Sequence, residues 1–181
     1  MIIATQNLEN DHVNILRLTD VMEQMTNVET TNVNHLKSVV NIIRNYADGL
    51  HHKKEEDLLF PFFEQRGAGG GCGPVGVMLM EHEQGREFVK GMMDNIDLCE
   101  KGDQGAMNLV YQNMLGYAGL LRDHIYKENN ILFRMAENTF SEDDQNMLLD
   151  KFGKIESSAE EGSKIEDYVV AIDELAQAYS L

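Results

Sequence analysis

Apolar residues recur at three- and four-residue steps along most of this 181-residue chain, a period that suits amphipathic helices and not strands. Little interrupts it, because the chain holds only two prolines and lacks Val/Ile/Thr runs of strand length. The first stripe is Leu8, His12, Ile15, Leu18, Met22 and Met25. The second runs through Leu36, Val40, Ile43, Ala47, His51, Glu55, Leu58 and Phe62, with Pro61 expected to bend its last turn. A glycine-rich segment, 67–74, reads as a flexible connection. A third stripe carries Val75, Met78, His82, Gly85, Val89, Met92 and Ile96, and a fourth carries Val110, Met114, Tyr117, Leu121, His124, Glu128, Ile131 and Met135 in unbroken period. The four predict an all-α, antiparallel up-down four-helix bundle over residues 1–137. Ser141, followed by three acids, predicts a capped fifth helix with Leu148, Phe152 and Ile155. After Gly162 a sixth carries Ile165, Tyr168, Ile172, Leu175 and Tyr179, so residues 138–181 read as a C-terminal helical extension packed on the bundle, structural in role.

Charge narrows the partners. A formal net charge of −16 disfavours nucleic acid, whose binders need a positive footprint. The start of the chain has no basic, apolar signal, and no 18-residue apolar run follows, so a cytoplasmic location without membrane contact is expected. Cys72 and Cys99 lack metal or disulfide spacing, and reduced thiols are expected of both.

Four of the six histidines fall on the inward stripes of four different helices. One histidine on an apolar face is usually a hydrogen-bonded core residue; four call for a common cause. His51 and Glu55, like His124 and Glu128, lie four residues apart and project side by side from one helix face. No Lys or Arg shares their stripes at that level, so a metal cation is the expected compensation for two buried carboxylates. In an up-down bundle, His12, His51, Glu55, His82, His124 and Glu128 all meet toward one end. Imidazole plus carboxylate without thiolate suits iron, zinc, nickel or manganese. Four histidines and two carboxylates exceed one tetrahedral zinc and fit two metals, with both carboxylates and a solvent-derived oxo or hydroxo group bridging. His52 and Glu56 compete with His51 and Glu55 for register; in the favoured register they stand behind the ligands or in solvent, while His35 reads as a surface residue without a partner. Arg86 is expected to neutralise the site, to anchor a carboxylate such as Glu81, or to form an exposed salt bridge. Tyr46, Tyr117 and Tyr126 read as core packing or as gates.

The segments Asp11-His12, His51-His52-Lys53-Lys54-Glu55-Glu56-Asp57-Leu58-Leu59-Phe60-Pro61, Glu81-His82-Glu83 and Asp123-His124-Ile125-Tyr126-Lys127-Glu128 resemble those of the hemerythrin-like HHE cation-binding family over about residues 5–137. The resemblance implies a four-helix bundle with a non-haem di-iron centre held by the same six residues. The oxygen carriers of that family place a second histidine four residues after the third-helix histidine; here that position is Arg86. The ligand set therefore resembles the four-histidine, two-carboxylate branch, and the run from Gly73 to Met78 resembles the branch of repair-of-iron-centres proteins.

Three functions follow as expectations. The first is binding or reduction of a small oxidant (oxygen, peroxide or nitric oxide) in sensing or detoxification, with a redox partner and with peroxidase- or oxidase-type turnover left open. The second is storage of iron and its delivery to an acceptor protein with a damaged iron centre. The third is a metal-free structural bundle, in which alanine at His124 would cost only packing energy.

Overall fold

The computed structural model describes residues 3–67, 73–103 and 105–181. Among them the chain forms six helices and no strand: α1 (Ala4–Asn27), α2 (33–65), α3 (Pro74–Glu100), α4 (106–139), α5 (Glu142–Ser157) and α6 (Ile165–Ala178). The all-α bundle expected from the periodicity is what forms. The connection at 67–74 and Cys72 lie mostly or wholly outside the described residues.

Local chemistry sets the ends. The Asn32 side chain accepts from the backbone N–H groups of Asn34 and His35 to start α2, and Pro74 begins α3, where its missing N–H costs nothing. The expected Ser141 cap is present as a reciprocal pair with Asp144. Helices α3 and α4 pack closely because a Cβ at Gly116 would collide with the Phe88 ring and one at Gly91 with the Asn113 side chain.

Two of the helices are not regular. In α2 the stretches Ile43–His52 and Glu55–Leu59, and in α4 the stretch Glu128–Leu132, widen to i→i+5 hydrogen bonding. Each widened stretch shifts the phase of the residues after it. Leu59, Phe60 and Phe63 are consequently the buried residues at the end of α2, with Leu58 and Phe62 only partly covered. In α4 the unbroken period expected through Ile131 and Met135 fails: Ile131 is 49% exposed, and Leu132, Phe133 and Ala136 face inward instead.

The core is split in two. A large apolar cluster includes Ile15, Met22, Ile43, Met92, Met114 and Tyr117, and a smaller one is built from Leu8, Phe60, Phe63, Met78, Phe133 and Phe152. Each such side chain stabilises the fold by about 1.5–3 kcal/mol when fully buried. The histidines and glutamates fall between the clusters in sequence on every helix of the bundle: Leu8 precedes His12 and Ile15 follows it, and Met78 precedes His82 with Val89 beyond. Helices α5 and α6 divide likewise, Phe152 joining the smaller cluster and Tyr168, Ile172 and Leu175 the larger.

Candidate metal centre

Five imidazoles, not four, converge in the layer between the clusters. His12, His51, His52, His82 and His124 are all buried, together with Glu55 and Glu128 at no measurable exposure. Ligand atoms of His12, His51, Glu55 and Glu128 lie within 4.8 Å of one another, as do those of His52, Glu55, His82 and His124. The structure thus brings all six sequence-derived candidates together and adds His52. Regular helix geometry would turn adjacent residues well apart, which is why His51 and His52 read as competitors; the widened turns of α2 bury both. His52 stacks on His82 with ring centroids 3.7 Å apart and planes 16° from parallel.

Every imidazole is anchored at its outer nitrogen by an oxygen. Nδ1 of His12 is 2.7 Å from Asn129 Oδ1, that of His51 3.3 Å from Asp11, and that of His52 3.2 Å from Asp48. His82 uses Glu56 at 2.7 Å and His124 uses Glu81 at 3.0 Å. An ionised carboxylate only accepts, as does the amide oxygen of Asn129, so each of these Nδ1 atoms donates and the Nε2 atom is left facing inward. There, His12 and His51 bring their Nε2 atoms within 3.0 Å, and His82 and His124 within 3.1 Å. Two lone pairs at that range repel unless a proton or a cation sits between them.

The carboxylates complete the demand for positive charge. Both oxygens of Glu55 and both of Glu128 are buried without a hydrogen-bond partner. Glu55 Oε2 lies 3.5 Å from His51 Nε2 and 3.6 Å from His82 Nε2; Glu128 Oε2 lies 3.2 Å from His12 Nε2 and 3.3 Å from His124 Nε2. Each glutamate therefore spans the two groups. Burial and the facing Glu128 charge push the Glu55 carboxyl well above its usual range, whereas burial of Glu128 is outweighed by His124 and His12, which hold it well below. Burial also keeps His51 neutral, down at about 4, and holds His52 well below the usual imidazole range. Four orphaned carboxylate oxygens and five inward-facing imidazoles fit a metal cation of the imidazole-and-carboxylate class, the residues offering two clusters for it.

The surroundings correct several expectations. A cation does share the ligand level: Lys54 is 0% exposed, with Nζ 2.6 Å from Asp11, 2.7 Å from Glu156 and 2.9 Å from Asn7. It neutralises Asp11, the carboxylate behind His51, and leaves the oxygens of Glu55 and Glu128 unpartnered. Arg86 reaches Asp48, Glu56 and Glu83 rather than Glu81, which pairs instead with Lys127. His35 is half-buried and bonded to the Tyr179 hydroxyl at 2.8 Å. Of the tyrosines, Tyr46 and Tyr117 are buried and Tyr126 is 65% exposed.

The model of the hemerythrin HHE cation binding domain matches residues 4–136. The chain belongs to this family. It is 36% identical over 87 residues to the iron-sulfur cluster repair protein DnrN of Neisseria gonorrhoeae, covering 46% of this chain and 55% of that one. To the iron-sulfur cluster repair protein YtfE of Escherichia coli O157:H7 it is 28% identical over 128 residues, 66% of this chain and 58% of that one. A YtfE of Yersinia pseudotuberculosis is 38% identical over 90 residues, 48% and 40% of the two chains. The chain thus spans about half the length of the curated relatives it matches. No solved structure matches. All three relatives carry the name of iron-sulfur cluster repair proteins. No helix among the described residues is long and apolar enough to cross a membrane.

Proposed function

We propose that this HHE domain protein holds two iron ions and hands iron to an acceptor protein whose iron centre is damaged. The observation that carries the metal reading is the inward convergence of five imidazole Nε2 positions on two unpartnered buried glutamates. His12 and His51 would hold one ion, and His82, His124 and His52 the other, with Glu55 and Glu128 shared. When bound, iron would supply a redox-active, exchangeable cation to this layer.

The chain's own residues make the site ready without folding around the metal. The Nδ1 anchors fix tautomer and ring orientation, and burial keeps His51 and His52 deprotonated at neutral pH. Without a cation the Glu55 carboxyl is pushed toward its protonated form, so iron release costs the uptake of a proton there and needs an acceptor that binds iron well. The names of the relatives support this reading for the function, and the ligand chemistry supports iron among the metals it allows.

Transfer is the test. Iron-loaded protein, mixed with an apo iron–sulfur acceptor and then separated from it, should lose iron while the acceptor regains its cluster absorption. Full retention of iron, with spectral change only on adding peroxide or nitric oxide, would replace this reading by oxidant sensing. One feature favours that second reading: a surface cleft reaches His52 and His82 and admits small molecules to that half.

A further inference from the structure

That cleft, about 220 Å³ in volume, has a character of its own. Its walls include the apolar side chains of Ile43, Val89 and Met93, and Arg44 and Lys90 also line it. Arg44 has no carboxylate partner among the described residues, and Lys90 is held only by the exposed Asp94. In a chain of net charge −16 this is a local concentration of cations. Tyr117 closes the cleft beside His52 and His82, and its hydroxyl is buried with no hydrogen-bond partner. An orphaned buried hydroxyl in a native fold calls for a partner, and burial, which pushes its pKa up, keeps it a donor. Asp48, the acid in the lining, is already engaged by His52 and Arg86.

We propose that the cleft binds a short-chain dicarboxylate. One carboxylate accepts from the Tyr117 hydroxyl, the methylenes lie against Ile43, Val89 and Met93, and the outer carboxylate meets Arg44 and Lys90. The size agrees, since pockets for drug-sized ligands run to roughly 300–1,000 Å³ and this one suits about four or five carbons. The ligand sits outside the imidazole Nε2 positions, so its binding does not depend on which metal fills them or on iron transfer.

Calorimetric titration of the full chain with succinate, and with butyrate as the single-charge control, tests it, metal content being measured on the same samples. Succinate should bind saturably at one per chain. Tyr117→Phe should weaken it about three- to tenfold, as loss of one hydrogen bond does. That variant removes an unpartnered hydroxyl, so its melting temperature should not fall. Arg44→Gln should weaken succinate and leave butyrate unchanged. Absence of saturable succinate binding, or equal binding in both variants and the parent, overturns the proposal. Failure of the full chain to take up iron at all, with succinate binding intact, would instead overturn the iron reading alone.

Discussion

The two halves of the metal layer are built from the same kinds of side chain, imidazoles and shared glutamates, and set in opposite surroundings. The His12/His51 half is closed: behind His51 stand Asp11, then the fully buried Lys54, then Glu156 from the C-terminal extension, with Phe133 stacked on His12 at 5.6 Å. The His52/His82/His124 half has one more imidazole and lies against the open cleft, its outer carboxylates Asp48 and Glu56 held by the half-exposed Arg86. Buried charges couple strongly because little water screens them, whereas surface pairs contribute little. The closed half should therefore govern stability and the open half exchange with solution, a division that ligand type alone would not produce.

The largest effect should come from removing what the halves share. Glu55→Gln combined with Glu128→Gln should abolish metal binding in both, as read by metal analysis, and Glu55→Gln alone, which removes the carboxyl that burial and the Glu128 charge push up, should raise the melting temperature of the metal-free protein, by roughly 2–4 °C for about 1 kcal/mol of relief. A melting temperature that falls would mean that the two carboxylates are not in conflict.

Next, Lys54→Met should break the closed half only. Leaving Asp11 and Glu156 buried or half-buried without their cation should cost about 3–5 kcal/mol in chemical denaturation. Arg86→Gln, its counterpart on the open half, should cost about 1 kcal/mol or less. Equal losses would erase the distinction. His52→Ala should then lower affinity for one ion by at least the roughly 10–100-fold that loss of an outer-sphere partner produces, and leave the other bound; isothermal titration of the metal-free protein resolves the two events.

The smallest effect is on acid sensitivity. Burial raises the Asp11 carboxyl, but His51 and Lys54 outweigh burial and bring it down to about 2 from its ordinary 3.8. Because the folded value is the lower one, the stabilisation is complete above about pH 4 and is lost as pH falls through 2. It amounts to about 2 kcal/mol. Urea melts of the metal-free protein from pH 6 to 2 should show this loss, and Asp11→Asn should flatten it.

What could be read from the sequence follows the same division. Helices, caps and the common level of the six candidate residues follow from periodicity, because a 3.6-residue repeat places side chains without knowledge of neighbours. Reading failed where that repeat does. The widened turns at 43–52 and 128–132 leave no mark in composition, so from periodicity alone His52 reads as standing behind the ligands and Met135 as core. Lys54 is hidden from the sequence for a different reason. A lysine three residues after His51 reads as a solvated charge until a carboxylate more than a hundred residues on, Glu156, arrives to cover it. Two neighbouring histidines within a run of carboxylates were the available signal for a fifth imidazole.

The most direct test of the unequal halves is the Mössbauer spectrum of protein loaded with iron-57 to saturation. The account predicts two iron ions per chain in two quadrupole doublets of equal area, and a His52→Ala variant that loses or alters one doublet while the other keeps its parameters. One iron per chain, or a single doublet that His52→Ala leaves untouched, would contradict it.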